Sequence, residues 1–291
     1  MDRFRKICDA RPDVRVLLYI LGADKILEWI HSVGVCEDEV LRSFVPPFPP
    51  AELRKITASP DLAEFLWTGL ADIERILSLY ETVGGLKYFQ RPAVLDFGCG
   101  CGRMARFLEN CDNSWKLHGC EVNPHHVQWC QDNLKGIETA RCSAMPPLPY
   151  RDQTFDLVYC LSVFTHLPEK RAAAWLSEMR RVLVPNGIVI ITTHGLTALE
   201  IIRDSEVHQK MFNLDRQVIV AIHESFKQEP FVFQRYAKDA LENAQAGEEY
   251  GNAFIHPDYI YSKWGIDGLK VLQHLPGGLR GWQDIVVIQR N

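Results

Sequence analysis

Two carboxylates, a glycine-rich turn and three histidines are the residues whose types and spacing could do chemistry in this chain. Residues 93–103 read AVLDFGCGCGR, in which the apolar pair Val94 and Leu95 leads into Asp96 and then into Gly98, Gly100 and Gly102. Glycines spaced G-x-G-x-G permit a sharp turn and let a ligand approach backbone N–H groups closely, with helix expected from Met104 onward. An acid directly before such a turn suits a ligand carrying an ammonium group, because it would repel a pyrophosphate. The dinucleotide pattern G-x-G-x-x-G differs as well, placing its third glycine one residue later. The next segment, KLHGCEVN over 116–123, reads as a short strand ending in Glu121, which lies 25 residues after Asp96. That distance matches one βαβ step, and a strand-end acid there can accept both hydroxyls of a ribose. A solvated strand-end carboxylate is the plainer alternative. A neutral imidazole can take a proton from a hydroxyl, and His166, His194 and His256 are the candidates. The first follows a predicted fourth strand, where it or Thr165 could instead cap the next helix. His194 ends a predicted fifth strand and is favoured, since strand ends face the ligand crevice of open α/β sheets. His256 sits in an H-P-x-Y sequence with Tyr259. Tyr259, Tyr261 and Trp264 share one short segment, which lines an acceptor pocket or packs in the core.

These residues need strands and helices to position them. Phe155–Leu161 is an apolar run fit for a central parallel strand, and the prolines at 146, 147 and 149 stiffen the loop before it. Pro168–Leu183 carries Trp175, Leu176, Met179, Val182 and Leu183 at helical spacing. VPNGIVIITTHG then turns into the fifth strand. Near the end, Gly268–Pro276 and Trp282–Arg290 read as two strands joined by PGGLRG.

Over residues 93–194 this order of motifs resembles the class I S-adenosylmethionine-dependent methyltransferases. The resemblance implies an α/β, Rossmann-like fold: a seven-stranded mixed sheet with helices on both faces, closed by an antiparallel C-terminal hairpin. It implies S-adenosylmethionine as cofactor, held by Asp96, Phe97, Gly98, Gly100, Gly102 and Arg103 around the first turn and by Glu121, Val122 and Asn123 after the second strand. Ser143, Ala144 and Met145 fall where the family holds the adenine, and Cys160, Leu161 and Ser162 follow the fourth strand. Many relatives place Asp or Asn in the adenine loop, where this chain has Ser143. The implied acceptor is a small molecule, methylated on oxygen in glycan or secondary-metabolite biosynthesis, with His194, His166 or His256 as base and Tyr259 and Trp264 lining the acceptor pocket. N-methylation of a small amine and a non-catalytic cofactor-binding partner subunit stay open beside it.

The 291 residues allow one large core with appendages. The expected arrangement is a helical cap over 1–90, a methyltransferase core over 91–195 and 257–291, and a helical insertion over 196–256. The cap carries amphipathic patterns over 14–33 and 61–80, joined by the proline-rich VPPFPPAEL in which Phe48 should be tucked against a neighbour. The insertion is either a substrate lid or an arm that pairs two copies into a homodimer. A net charge of −5 without long basic runs argues against nucleic acid as partner. No apolar stretch reaches membrane-spanning length and the amino terminus is charged, so a cytoplasmic protein with no membrane partner is expected. Nine cysteines without paired C-x-x-C spacing read as reduced, buried thiols, and no metal site is expected.

Overall fold

The computed structural model describes residues 47–84, 92–108, 115–236, 249–265 and 268–291. The helix expected over 14–33 lies outside them. Strands of the main sheet run in the order β3-β2-β1-β4-β5-β9-β8, the seven-stranded mixed sheet that the motif order implies. By packing, the chain forms two compact units, one within 1–77 and 91–141 and the other within 78–90 and 142–291.

In the first unit, β1 (Ala93–Phe97), β2 (Lys116–Glu121) and β3 (Ile137–Arg141) pair in parallel, with Asp96 opposite Gly119 and Glu121 opposite Arg141. Buried on both faces, β1 reads as the near-continuous apolar run that parallel strands need. Two helices precede it, α1 (Ala51–Thr57) and α2 (Leu62–Thr82). Phe65 and Leu66 of α2 pack on Cys101, with Phe48, Leu53, Phe107 and Trp129 around them. Phe48 is therefore tucked in as its proline-rich setting predicts. The Arg106 guanidinium lies 5.6–5.8 Å from the rings of Phe48, Phe65 and Trp129, a cation–π arrangement that holds 47–50 down. After the glycines the chain turns through 101–104 before a short helix, α3 (Ala105–Leu108), so helix begins later than the sequence predicts. α4 (Pro124–Asn133) starts with Asn123 as N-cap and proline at its first position.

In the second unit, β4 (Phe155–Cys160) pairs in parallel with β5 (Leu183–Thr193), and α5 (Glu169–Val182) joins them, burying Trp175, Leu176, Met179 and Val182. The PNG turn is a bulge within β5: Asn186 has φ +64° and the register shifts between Phe155 and Leu157. The hairpin of β8 (Leu269–Leu279) and β9 (Gln283–Arg290) adds to β5 antiparallel, with Thr193 opposite Asp284.

The described residues of the insertion begin with three helices. α6 (Leu196–Asp204), α7 (Glu206–Phe212) and α8 (Arg216–Phe226) bury Leu199, Ile202, Phe212, Ile219, Ile222 and Phe226 together. Beyond them, β6 (Phe231–Arg235) and β7 (Gly251–Ile255) form a separate two-stranded antiparallel sheet. Five-residue runs this far apart in the chain give no alternation long enough to recognise as strand. α9 (Pro257–Tyr259) leads into a π-turn over Ile260–Trp264.

Candidate functional site

In the first unit the glycine turn is built as its spacing requires. Gly98, Gly100 and Gly102 have φ of +79°, +53° and +75°, values that cost an L-residue about 1–2 kcal/mol each. Gly98 N–H donates to Cys120 O at 2.8 Å, tying the turn to the end of β2. A Cβ on Gly100 would stand 2.6 Å from the Thr57 side chain, and one on Gly102 would stand 2.3 Å from Leu134 Cδ1. Backbone conformation favours glycine at both, and contact with Thr57 adds to that at Gly100.

Glu121 is the centre of this arrangement. Its Oε2 accepts from Gly100 N–H at 2.9 Å, and its Oε1 accepts from Val122 and Asn123 N–H at 2.7 and 2.9 Å. Three backbone donors converge on one buried carboxylate, so it clamps the glycine turn to the end of β2. A carboxylate offers about four lone-pair sites, which leaves one on Oε2 for a ligand hydroxyl. Glu121 is thus more than a solvated strand end.

Other expected cofactor residues in this unit have work of their own. Arg103 forms a buried ion pair with Asp72 of α2 at 2.7 Å, and this pairing turns its charge toward the helix. Asn123 accepts from His125 N–H at 2.9 Å as N-cap. Phe97 is buried as the last residue of β1, and Asp96 beside it is 1% exposed. Val122 enters through its backbone N–H alone.

In the second unit Ser143 and Met145 are exposed, and Ala144 O accepts from Trp175 Nε1 at 3.3 Å. Cys160 and Leu161 are buried at the end of β4. Ser162 follows with φ +56°, its N–H donating to Thr192 Oγ1 at 2.8 Å and its Oγ accepting from Gln283 Nε2 at 2.9 Å. Those two polar partners carry no sequence signal, since they come from strands 30 and 121 residues away.

The structure brings His166 and His194 together, their rings 6.2 Å apart and edge to face. His166 belongs to the 3₁₀ turn Phe164–His166, and the N-cap of α5 is Pro168, so neither His166 nor Thr165 caps that helix. Nδ1 of His166 donates to Gly251 O at 2.9 Å; the carbonyl assigns the proton to Nδ1 and leaves the lone pair on Nε2. Burial lowers its pKa to about 4, with the Gly251 hydrogen bond opposing. Tyr250 stacks on the ring at 4.7 Å, and the Tyr236 hydroxyl lies 3.3 Å from Nδ1 while donating to Asn252 Oδ1 at 2.9 Å. Burial raises the Tyr236 pKa to about 12. His194 is enclosed by Trp282, Phe212 and Phe254 at 5.5, 4.8 and 5.6 Å. The ring is buried and interacts with the Ala253 backbone, which opposes the downward shift of its pKa. Burial holds its pKa well below the ordinary imidazole value, and His166 adds to that.

His256 is not among these rings. It packs against Phe226 and accepts from Asp258 N–H at 3.2 Å as the N-cap of α9. Tyr259 donates to Glu169 Oε1 at 2.8 Å, and Trp264 is 2% exposed against Phe164. Both therefore pack in the core, the alternative that burial of large aromatic area favours over a pocket lining. Tyr236, Tyr250 and Gly251 were invisible as partners of His166, because they lie 70 or more residues beyond it and no pattern marks them. Among the described residues, no group of three His, Cys, Asp or Glu could hold a metal ion and no helix is long and apolar enough to cross a membrane.

A family model described as a methyltransferase domain matches residues 94–187. The 2-methyl-6-phytyl-1,4-hydroquinone methyltransferase of Synechocystis is 30% identical over 34% of this chain and 30% of its own length. The chain thus spans less than a third of that relative. A ubiquinone/menaquinone biosynthesis C-methyltransferase of Paraburkholderia phytofirmans is 27% identical over 61% of this chain and 68% of its own. The crystal structure of magnesium protoporphyrin IX methyltransferase from Synechocystis aligns with a TM-score of 0.50 at 14% identity, covering 82% of this chain and 93% of that one. At that identity it shows the shared fold.

Proposed function

We propose that this chain, a member of the class I S-adenosylmethionine-dependent methyltransferases, transfers a methyl group to a hydroxyl of a small organic molecule of glycan or secondary metabolism. The observation that carries the reading is the Glu121 clamp on the Gly98-x-Gly100-x-Gly102 turn, which keeps one carboxylate lone pair for a ribose hydroxyl. The residues fit the cofactor: a turn of positive-φ glycines, tight against Thr57 at Gly100, and a buried acid, Asp96, beside it for an ammonium group. Gly98 and Gly100 supply the backbone that a ligand can approach, and Ser143, Ala144 and Met145 would hold the adenine. When bound, S-adenosylmethionine supplies an activated methyl group on a sulfonium.

The chain's own part is to align the acceptor oxygen about 3 Å from that methyl carbon and to receive its proton. His166 leads His194 in this role. Its Nδ1 proton is fixed on Gly251 O, so Nε2 presents a lone pair, and its low pKa keeps the ring neutral near pH 7. His194, walled in by aromatic rings, orients its neighbour or receives the proton next. The relatives named for hydroquinone and quinone substrates and the ring-rich surroundings of both histidines support an aromatic acceptor.

Calorimetric titration with S-adenosylmethionine, S-adenosylhomocysteine and NADH tests the core of the reading. Saturable binding of the first two is expected, and binding of NADH alone refutes it. A methyl-transfer screen over phenols, hydroquinones, sugars and amines then identifies the acceptor class. Turnover of amines alone replaces O-methylation with N-methylation, and binding without any turnover points to a non-catalytic subunit.

A further inference from the structure

Three thiols surround the glycine turn, and the proposed methyl transfer uses none of them. Cys99 and Cys101 lie within the turn, Cys130 comes from α4, and all three are buried. Cys101 is engaged with Thr57 Oγ1 at 3.3 Å. The Cys99 and Cys130 side chains also interact with each other. Both also donate to a single acceptor, the Gly100 carbonyl, at 3.6 and 3.4 Å. The residue whose N–H is held by Glu121 therefore has its C=O held by this thiol pair.

We propose that Cys99 and Cys130 form a reversible disulfide that disables the cofactor loop under oxidising conditions. This inference rests on the methyl-donor reading of that loop. With hydrogen peroxide as oxidant, one sulfur attacks a peroxide oxygen, giving a sulfenic acid and one water; the second thiol displaces hydroxide from that sulfur, releasing another water. Two thiol hydrogens leave, one S–S bond forms and the peroxide is reduced. A low-molecular-weight disulfide reaches the same product by exchange, leaving as two thiols.

Closing the bond acts on the loop in two ways. It removes both S–H donors from the Gly100 carbonyl, which then has to find other partners or move, and it ties a turn of three left-handed glycines to α4. Either shift disturbs the Gly100 N–H that Glu121 holds. The Cys130 side chain first and burial second raise the Cys99 thiol above the ordinary range, and burial raises that of Cys101. Protonated, shielded thiols react slowly, so oxidation follows opening of the loop, and a ligand that holds the loop closed protects the pair.

The test uses the full chain, reduced or treated with hydrogen peroxide or with oxidised glutathione, with and without S-adenosylhomocysteine. Peptide mapping is expected to find a Cys99–Cys130 cross-link lighter by two hydrogens in the ligand-free sample and less of it in the liganded one. Affinity for S-adenosylhomocysteine should fall about tenfold or more, equivalent to one decade in Kd, and return with dithiothreitol. Cys130→Ser should keep its affinity under oxidant, and Cys99→Ser gives the same result if Cys130→Ser does not fold. Reduced protein that binds ligand but yields no such cross-link, pairs Cys101 instead, or keeps full affinity when cross-linked overturns the proposal. Reduced protein that binds no ligand overturns the methyl-donor reading itself, while the cross-link mapping still decides whether the pair forms.

Discussion

Replacing Glu121 with Gln separates its two tasks. The carboxylate accepts three backbone N–H groups, Gly100 on Oε2 and Val122 and Asn123 on Oε1. An amide keeps one oxygen, so if that oxygen stays with Val122 and Asn123, the NH₂ group faces the Gly100 N–H donor to donor. One hydrogen bond to a charged group is lost, worth about 1.5–3 kcal/mol, and a buried donor is left unmatched. From sequence alone, Glu121→Gln would be expected to leave the fold intact. The structure requires instead a melting temperature lower by several degrees, together with weaker ligand binding. If Oε2 also accepts a ribose hydroxyl, affinity for S-adenosylhomocysteine should fall about 10- to 160-fold, the same energy range expressed in Kd. The two effects come apart in a double cycle with a ligand lacking the ribose hydroxyls. Wild type should lose affinity on their removal, and the Gln variant should lose little more. Unchanged melting with unchanged affinity would refute both the clamp and the ribose contact, and equal losses for both ligands would leave the clamp alone standing.

Gly100→Ala should cost about 1–2 kcal/mol for its φ of +53° plus a clash with Thr57, and adding Thr57→Ala should recover the clash but not the conformational part in thermal denaturation. Asp72→Ala removes the buried carboxylate paired with Arg103 and should destabilise by about 3–5 kcal/mol, read by denaturant unfolding; a loss below about 1 kcal/mol would mean the pair is effectively solvated. The pH dependence follows from His166: a folded pKa of about 4 against 6.5 unfolded means the unfolded chain binds more protons in that window. Stability should therefore be complete above pH 6.5 and fall as the pH drops toward 4. His166→Gln should make that decline shallower, and an unchanged slope would show that the ring is not desolvated. If His166 is the base, the same variant should spare cofactor affinity and lower turnover by about 10²–10⁴, with a small loss shifting the role to His194.

Features whose physics is local could be read from residue order. The three positive-φ glycines, the strand end at Glu121, the α5 face, the turn character of VPNG and the PGGLRG hairpin each follow from steric limits or side-chain periodicity over a few neighbouring residues. Long-range packing decided the rest. Arg103 belongs to Asp72 across 31 residues of chain, His256 to Phe226, Tyr259 to Glu169, and Trp264 to the core beside Phe164. The partners that fix the His166 tautomer come from a two-stranded sheet formed by segments 231–235 and 251–255, too short and too far apart to declare themselves. Glu121 shows both sides at once. Its place at a strand end follows from the apolar run before it, but its three donors converge only when the glycine turn folds back on β2, because a hydrogen bond depends on distance in space and leaves no trace in the order of residues.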